Sequence, residues 1–196
     1  MKKLILILIL TLSFHSWTKA DDIRDFEIEG MSVGDSLLEY MSVEEINDNT
    51  FTNYYKNGKK RNYYATGYFN TDTYDQIEIY LKKGDQNYNI VSITGFKVEP
   101  KNCKKLKKKI VNQISEIFNS LEPISYDDVP HTFDKSGKSI QHQTGFFFEN
   151  DPKKDHIRIE CTYWSKEMKE KNQFNDTIGI SVITTELLKW IDSGYN

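Results

Sequence analysis

Arginine is almost missing from this chain, since Arg24, Arg61 and Arg158 are the only three among 196 residues. The guanidinium group is the side chain best suited to reading phosphates and guanine edges with paired hydrogen bonds. Its scarcity argues against a nucleic-acid partner. Long apolar runs are missing too, because no segment after Phe14 is apolar enough to span a bilayer as a helix. We therefore expect no nucleic-acid binding and at most peripheral membrane contact.

Catalytic and cofactor motifs are also lacking. The chain has no His-Glu-x-x-His pair, no Gly-x-Ser-x-Gly elbow and no phosphate-binding glycine loop after residue 20. We expect no cofactor and no metal site, and the sequence leans away from an enzyme. The densest polar cluster is Asp127, Asp128, His131 and Asp134, for which a cation site and a solvated loop are the two interpretations; the solvated loop is favoured. The enzyme alternative places a site near His131, Asp134 and His142.

The first 20 residues have the pattern of an export signal. Lys2 and Lys3 precede an apolar run over residues 4–14, and Ala20 offers a small residue for cleavage. We predict a signal peptide over residues 1–20, cleaved after Ala20, and a periplasmic or secreted protein; an uncleaved anchor is the alternative. Removing the signal's three lysines from 26 basic residues leaves 23 against 29 acidic ones, a net charge of −6.

Only two cysteines occur, Cys103 and Cys161, and both follow the predicted cleavage point. In an exported protein an even pair of cysteines predicts one disulfide. Two buried free thiols are the alternative. Cys103 is expected in the first turn of a helix over residues 101–121, so the bond would attach that helix to the strand that carries Cys161.

Short segments recur in the same order in the two halves of the chain. A fixed order at a nearly constant offset predicts an internal repeat. We expect an α+β fold built as a tandem repeat of a helix followed by a four-stranded antiparallel sheet. Residues 21–99 form the first predicted unit, and residues 100–196 form the second with a C-terminal helix. The recurring pairs are Thr66–Phe69 with Thr144–Phe147, Asp75–Ile79 with Asp155–Ile159, and Ile90–Thr94 with Ile180–Thr184.

The strand segments alternate apolar and polar side chains. Such alternation predicts one buried and one wet face on each strand. Helices are predicted after Ser32 and after Ser42, which begins a capping box, and over residues 186–192 near the end. The residues expected to face inward are Ile77, Ile79, Leu81, Ile157, Ile159 and Cys161.

The segment from Ile28 to Leu38 resembles the Gly-Met-Ser/Thr helix start of a known group. That group contains the β-lactamase inhibitor protein and the small outer-membrane assembly lipoproteins of the SmpA/OmlA type. The resemblance implies a helix-loop-helix followed by an antiparallel sheet. This chain departs from the lipoproteins because it has no lipobox cysteine, and from the inhibitor because it has one cysteine pair instead of one per repeat.

Two surfaces are candidates for binding. Tyr54, Tyr55, Tyr64 and Tyr68 cluster on the first predicted hairpin and form a candidate recognition surface. A basic run begins the helix over residues 101–121 and suits anionic lipid or an acidic partner. We predict an exported non-enzymatic binding protein of the cell envelope, with another envelope protein as its candidate partner; a membrane-surface module that uses the basic run is a further alternative. The basic run comprises Lys101, Lys104, Lys105, Lys107, Lys108 and Lys109.

Overall fold

A computed structural model of the chain describes residues 22–51, 62–69, 71–149 and 151–193. Within them, seven strands form one antiparallel sheet in the order β1-β2-β3-β7-β6-β5-β4. The predicted signal peptide lies outside the described residues. The strands are β1 (Tyr63–Tyr68), β2 (Gln76–Lys82), β3 (Ile90–Val98), β4 (Ile124–Pro130), β5 (Ile140–Phe147), β6 (His156–Tyr163) and β7 (Thr177–Ile183). The helices are α1 (Val43–Asp48), α2 (Cys103–Ile117), α3 (Lys166–Asn172) and α4 (Thr185–Asp192), with 3₁₀ turns at Ile23–Asp25 and Leu37–Glu39.

The predicted tandem repeat of a helix and a four-stranded sheet is wrong. Strands β3 and β7 pair with each other from Ser92 opposite Ile183 to Val98 opposite Thr177, so all seven strands belong to one sheet. The predicted boundary between residues 99 and 100 falls between β3 and α2, and one apolar cluster takes side chains from both sides of it. Local alternation indicates which face of the sheet a side chain takes, but it does not indicate which strand lies alongside. For this reason the sequence predicted two sheets where the structure has one.

The inward side of the sheet, which we call the core face, has the residues that the alternation predicts. All six predicted inward residues of β2 and β6 are fully buried. Helix α2 packs on this face against β6 and β7. Its apolar stripe includes Ile110, Ile114 and the following Phe118, and these join the apolar cluster of the sheet.

The segment before α1 also covers the core face, but it is less helical than predicted. Ile28, Met31 and Leu37 are almost fully buried there. No helix begins at Ser32. Gly34 has a positive φ of 95° and donates its N–H to the Ile90 carbonyl, so this backbone pairs with the start of β3 instead. Within the described residues, no helix is both long and apolar enough to cross a membrane.

The capping box predicted at Ser42 is confirmed. The Ser42 hydroxyl accepts the Glu45 N–H at 3.2 Å, and Glu45 Oε2 accepts the Ser42 N–H at 2.8 Å. The two reciprocal bonds satisfy backbone donors that the start of α1 would otherwise leave without partners. Ile46 in this helix is fully buried, so the short α1 is held by both its cap and its packing.

Cys103 and Cys161 lie at disulfide distance, as the sequence predicts. Their Cα atoms are 5.9 Å apart, and they form the bond that joins the first turn of α2 to β6. Both residues are buried at the contact between helix and sheet. The bond therefore closes a loop that contains all of α2, β4 and β5, and it fixes the helix to the core face.

We predict that reduction of this bond costs the fold about 4 kcal/mol, because a cross-link across 58 residues removes that much chain entropy from the unfolded state. Urea unfolding with and without reductant measures the loss. The double variant Cys103→Ala/Cys161→Ala is the control and should not respond to reductant. An unchanged free energy of unfolding in the reduced wild type would contradict the prediction.

Candidate functional site

The described residues cover only part of the side of the sheet opposite the core face. Helix α4 packs there over β1 and β3, where Leu187 and Trp190 meet Tyr63 and Val91. The remaining part carries polar and aromatic side chains from β3, β7, β6, β5 and β4. We call this part the open face. Its polar and aromatic members are Thr94, Phe96, Thr177, Ser181, Arg158, Glu160, Thr162, Gln141, Gln143 and Tyr126, and the exposed Val98 and Ile124 lie on the same side.

Polar side chains on the open face bind one another in a continuous ladder across β5 and β6. Arg158 Nε lies 3.3 Å from Glu160 Oε2. Gln143 Nε2 donates to Glu160 Oε2 at 3.5 Å and to Gln141 Oε1 at 3.1 Å. Gln141 Nε2 in turn donates to Thr162 Oγ1 at 3.3 Å. We call these five residues the polar ladder, and their contacts restrict the side chains before any partner arrives.

The two charged residues of the polar ladder, Arg158 and Glu160, differ in solvent exposure. The Arg158 side chain is 35% exposed, whereas that of Glu160 is 13% exposed. Arg158 Nε is buried and has no hydrogen-bond acceptor among the described residues, so its contact with Glu160 is electrostatic. The outer part of the guanidinium therefore reaches solvent while its carboxylate partner stays mostly covered.

Two aromatic rings on the side of the sheet opposite the core face lie over glycines, Phe96 over Gly179 and the buried Phe147 over Gly145. The ring of Phe96 occupies the space in front of the Gly179 Cα, where a Cβ would lie 3.2 Å from it. The ring of Phe147 does the same over Gly145. A larger residue at either glycine would force the ring away. These glycines therefore let the rings lie close to the sheet, and Phe96 remains partly exposed.

An aromatic cluster bounds the open face where β6 ends. Trp164 lies between His131 and Phe174, with ring centroids 4.2 and 4.5 Å away. Phe133 contacts Phe174 at 5.8 Å and is 59% exposed. Burial lowers the pKa of His131, although the negative charges of Glu160 and Asp134 act in the opposite direction. The His131 ring thus belongs to the side of the sheet that carries the polar ladder.

Asp134 holds the loop that carries this cluster. Its Oδ1 accepts the N–H and hydroxyl of Ser136, and its Oδ2 accepts the N–H and hydroxyl of Ser139 together with the Ser165 hydroxyl. These bonds tie the β4–β5 loop to the start of α3. They hold the pKa of the Asp134 carboxyl well below its usual range, with Ser139 as the largest contributor. Asp134 is therefore a structural acceptor in this loop.

The three residues of the predicted enzyme site do not converge. His142 faces the core side, where its Nδ1 lies 3.0 Å from Asp127 Oδ1 and its Nε2 lies 3.6 Å from Asp128 Oδ1. His131 stacks on Trp164 instead, and the carboxylate of Asp134 is occupied by serines. Among the described residues, no group of three or more His, Cys, Asp or Glu side chains has an arrangement that could hold a metal ion.

The predicted tyrosine surface lies elsewhere than the open face. Tyr64 and Tyr68 are half-buried and pack against the apolar cluster of the core face. Tyr54 and Tyr55 lie outside the described residues. Sequence alternation did place Arg158 and Glu160 on the wet face of β6, but their neighbours Gln141 and Gln143 become apparent only with the strand pairing.

Five lysines of the basic run are exposed on α2 and just before it, and one is not. Lys107 is buried and donates from Nζ to Thr144 Oγ1 at 3.0 Å. Burial lowers the pKa of the Lys107 ammonium. Because α2 covers the core face, the exposed lysines lie on the opposite side of the molecule from the open face. They are Lys101, Lys104, Lys105, Lys108 and Lys109.

We predict that Asp134→Asn lowers the thermal unfolding midpoint at pH 7 more than Ser165→Ala, which removes only one of the five bonds. Because folding lowers the pKa of Asp134, its contribution is present above the ordinary aspartate value of 3.8 and is lost as the pH falls below that value. The gap between wild type and Asp134→Asn should therefore narrow as the pH falls below 3.8. A gap that is constant from pH 7 to pH 2, measured by circular dichroism melts, would contradict this account.

Comparisons with known proteins leave the open face to be interpreted from its own chemistry. No family model matches the chain, and no curated protein and no solved structure matches it. The resemblance of the segment from Ile28 to Leu38 to the inhibitor and lipoprotein group therefore stays a prediction.

Proposed function

We propose that this chain is an exported, non-enzymatic binding protein of the cell envelope, and that it holds its partner on the open face. The polar ladder carries this proposal. Its amide, carboxylate and guanidinium groups lie side by side on a rigid sheet and are already joined to one another. Side chains that are ordered before binding lose little entropy when a partner arrives.

The arrangement of the titratable groups favours binding over catalysis. A general base and its proton donor must lie within hydrogen-bond reach of each other or of a common substrate position. His142 instead lies on the core side with its two aspartates, and the Asp134 carboxylate is saturated by serine donors. Neither residue is positioned to exchange a proton with a group bound on the open face.

The disulfide is compatible with the predicted export. Disulfides persist in oxidising compartments such as the periplasm or the medium and are rare in the cytosol. The Cys103–Cys161 bond lies at the contact between α2 and the sheet, where it supports the fold directly. A protein built in this way suits the envelope location that the N-terminal sequence predicts.

A second candidate function is attachment to an anionic membrane surface. It is favoured by the spacing of Lys101, Lys104, Lys105 and Lys108, which places four exposed lysines on one side of α2 and its N-terminal turn. Each lysine near a charged bilayer contributes about 1 kcal/mol. The two candidate surfaces lie on opposite sides of the sheet, so one experiment can separate them.

We predict that the purified protein sediments with the isolated envelope fraction of its source cell, and that Gln141→Ala/Gln143→Ala weakens this association about tenfold. Two lost hydrogen bonds of about 0.7 kcal/mol each give that factor. Asn112→Ala/Asn119→Ala is the matched control, because it removes two exposed amides on the α2 side and should have no effect. Equal binding by both double variants and wild type would refute the open-face proposal.

The triple variant Lys104→Gln/Lys105→Gln/Lys108→Gln decides between the two candidates in the same assay. Binding through the open face leaves its sedimentation unchanged at 0.15 M salt, where exposed charges are screened beyond about 8 Å. Binding through α2 predicts a loss of about a hundredfold, from about 1 kcal/mol for each lysine. That loss, together with normal binding by the glutamine variant, would replace the first candidate by the second.

A further inference from the structure

We infer that the ligand of the open face is an uncharged glycan chain that lies across the strands; this inference rests on the proposed function. The observation that carries it is one straight row of residues. The strand register aligns Phe96, Gly179, Glu160, Gln143 and Tyr126 on five adjacent strands, β3, β7, β6, β5 and β4. We call these five residues the cross-strand row.

The cross-strand row has an aromatic ring at each end and polar groups between them. Adjacent strands are about 4.8 Å apart, so four spacings separate the two rings by about 19 Å at the backbone. Phe96 leans over Gly179 at one end, and Tyr126 is 42% exposed on the edge strand at the other. The distance is long enough for several sugar units in an extended chain.

The chemistry between the two rings matches the hydroxyl groups of a sugar. A hydroxyl both donates and accepts, and an amide side chain offers both partners in one plane. Gln143 and Gln141 supply such amides, Glu160 supplies an acceptor and Arg158 supplies donors. The polar ladder therefore presents both donors and acceptors at and beside the middle of the cross-strand row, where sugar hydroxyl groups can pair with either kind.

The aromatic rings of Phe96 and Tyr126 match the apolar C–H face of a sugar ring. A pyranose ring has a face of C–H groups that packs against the electron-rich face of an aromatic ring. The Phe96 ring extends toward Glu160, because it lies over Gly179, which is the residue opposite Glu160. A sugar on Phe96 would thus place its hydroxyls within reach of the ladder.

The charges of the open face favour a neutral glycan over a polyanion as its ligand. Arg158 and Glu160 compensate each other, and the other open-face members are uncharged at pH 7. The exposed lysines of α2, which would attract a polyanion, lie on the opposite side of the sheet. The open face therefore exerts no net attraction on a phosphate- or sulfate-rich chain.

The distribution of apolar groups along the cross-strand row favours a glycan over a folded protein as the ligand. Standard protein interfaces bury about 800 Å² on each partner and have an apolar centre with a polar rim. The cross-strand row has the reverse order, with Glu160 and Gln143 at its centre and rings at its ends. A partner that is polar along its length and apolar on the faces of its rings fits this order better.

Native electrophoresis through gels cast with polysaccharide tests the inference. The probes are hydroxyethylcellulose, glycol chitin and soluble starch, all uncharged, with dextran sulfate as the polyanion. Retardation of the wild type by at least one uncharged probe is expected. Phe96→Ala and Tyr126→Ala should each weaken that retardation about tenfold, which corresponds to 1.4 kcal/mol. Leu38→Ala is the control, since Leu38 is 42% exposed like Tyr126 but lies in the segment that covers the core face.

Three outcomes would overturn the inference. They are unchanged mobility of the wild type in all three uncharged gels, retardation by dextran sulfate alone, and equal retardation of wild type and both ring variants. Tyr126 lies on an exposed edge strand, so its variant keeps the test decisive if Phe96→Ala does not fold.

Sedimentation with the envelope fraction distinguishes the failure of this inference from the failure of the proposed function. Binding that survives protease treatment of the envelope fraction supports a glycan, and binding that protease abolishes overturns it in favour of a protein partner. Loss of the glycan inference with sedimentation still dependent on Gln141 and Gln143 would leave the proposed function standing. If sedimentation did not depend on Gln141 and Gln143, both the open-face proposal and the glycan inference would be refuted.

Discussion

The hydrogen bonds between β3 and β7 join the two halves of the sheet, and the candidate site depends on their register. Phe96 comes from the first half of the chain, whereas Glu160, Gln143 and Tyr126 come from the second. Only the pairing of Phe96 with Gly179 places them in one row. Because successive side chains in a strand point to opposite faces, a shift of one residue in this pairing would move Phe96 to the core side relative to Glu160. The central pair of strands therefore determines both the architecture and the surface that we assign to binding.

The second constraint is the unequal cover of the two sides. A two-layer α+β domain must bury one side of its sheet, and here α2 and the segment before α1 do so, with the disulfide fixing the first turn of α2 to β6. On the other side, α4 reaches only the end formed by β1 and β3. An antiparallel sheet tolerates such exposure because its wet side carries polar residues. Within the part of the chain that the structure describes, the open face is thus a consequence of having one long helix for seven strands.

The features that the sequence could predict are those that a few neighbouring residues or a simple pairing rule determine. Alternation identified the inward residues of β2 and β6, and the capping box at Ser42 formed as expected. The cysteine pair needed only an even count.

The order of the strands could not be obtained in this way, because alternation is the same whichever strand lies alongside. For the same reason alternation alone could not show that Tyr64 and Tyr68 pair with Leu81 and Ile77, which puts both tyrosines on the core side. No sequence motif marks Gln141 and Gln143, and their role in the polar ladder becomes visible only when strand pairing places them beside Glu160.

Hydroxyl-radical footprinting of the wild-type protein, with and without the envelope fraction, tests the central claim most directly. The method reports the solvent exposure of aromatic and aliphatic side chains on both sides of the sheet at once. If the open face binds the partner, Phe96 and Tyr126 will be protected while Tyr64, Tyr68 and Leu106 keep their rates of modification. Protection of Leu106 on α2 without protection of Phe96 and Tyr126 would contradict the account.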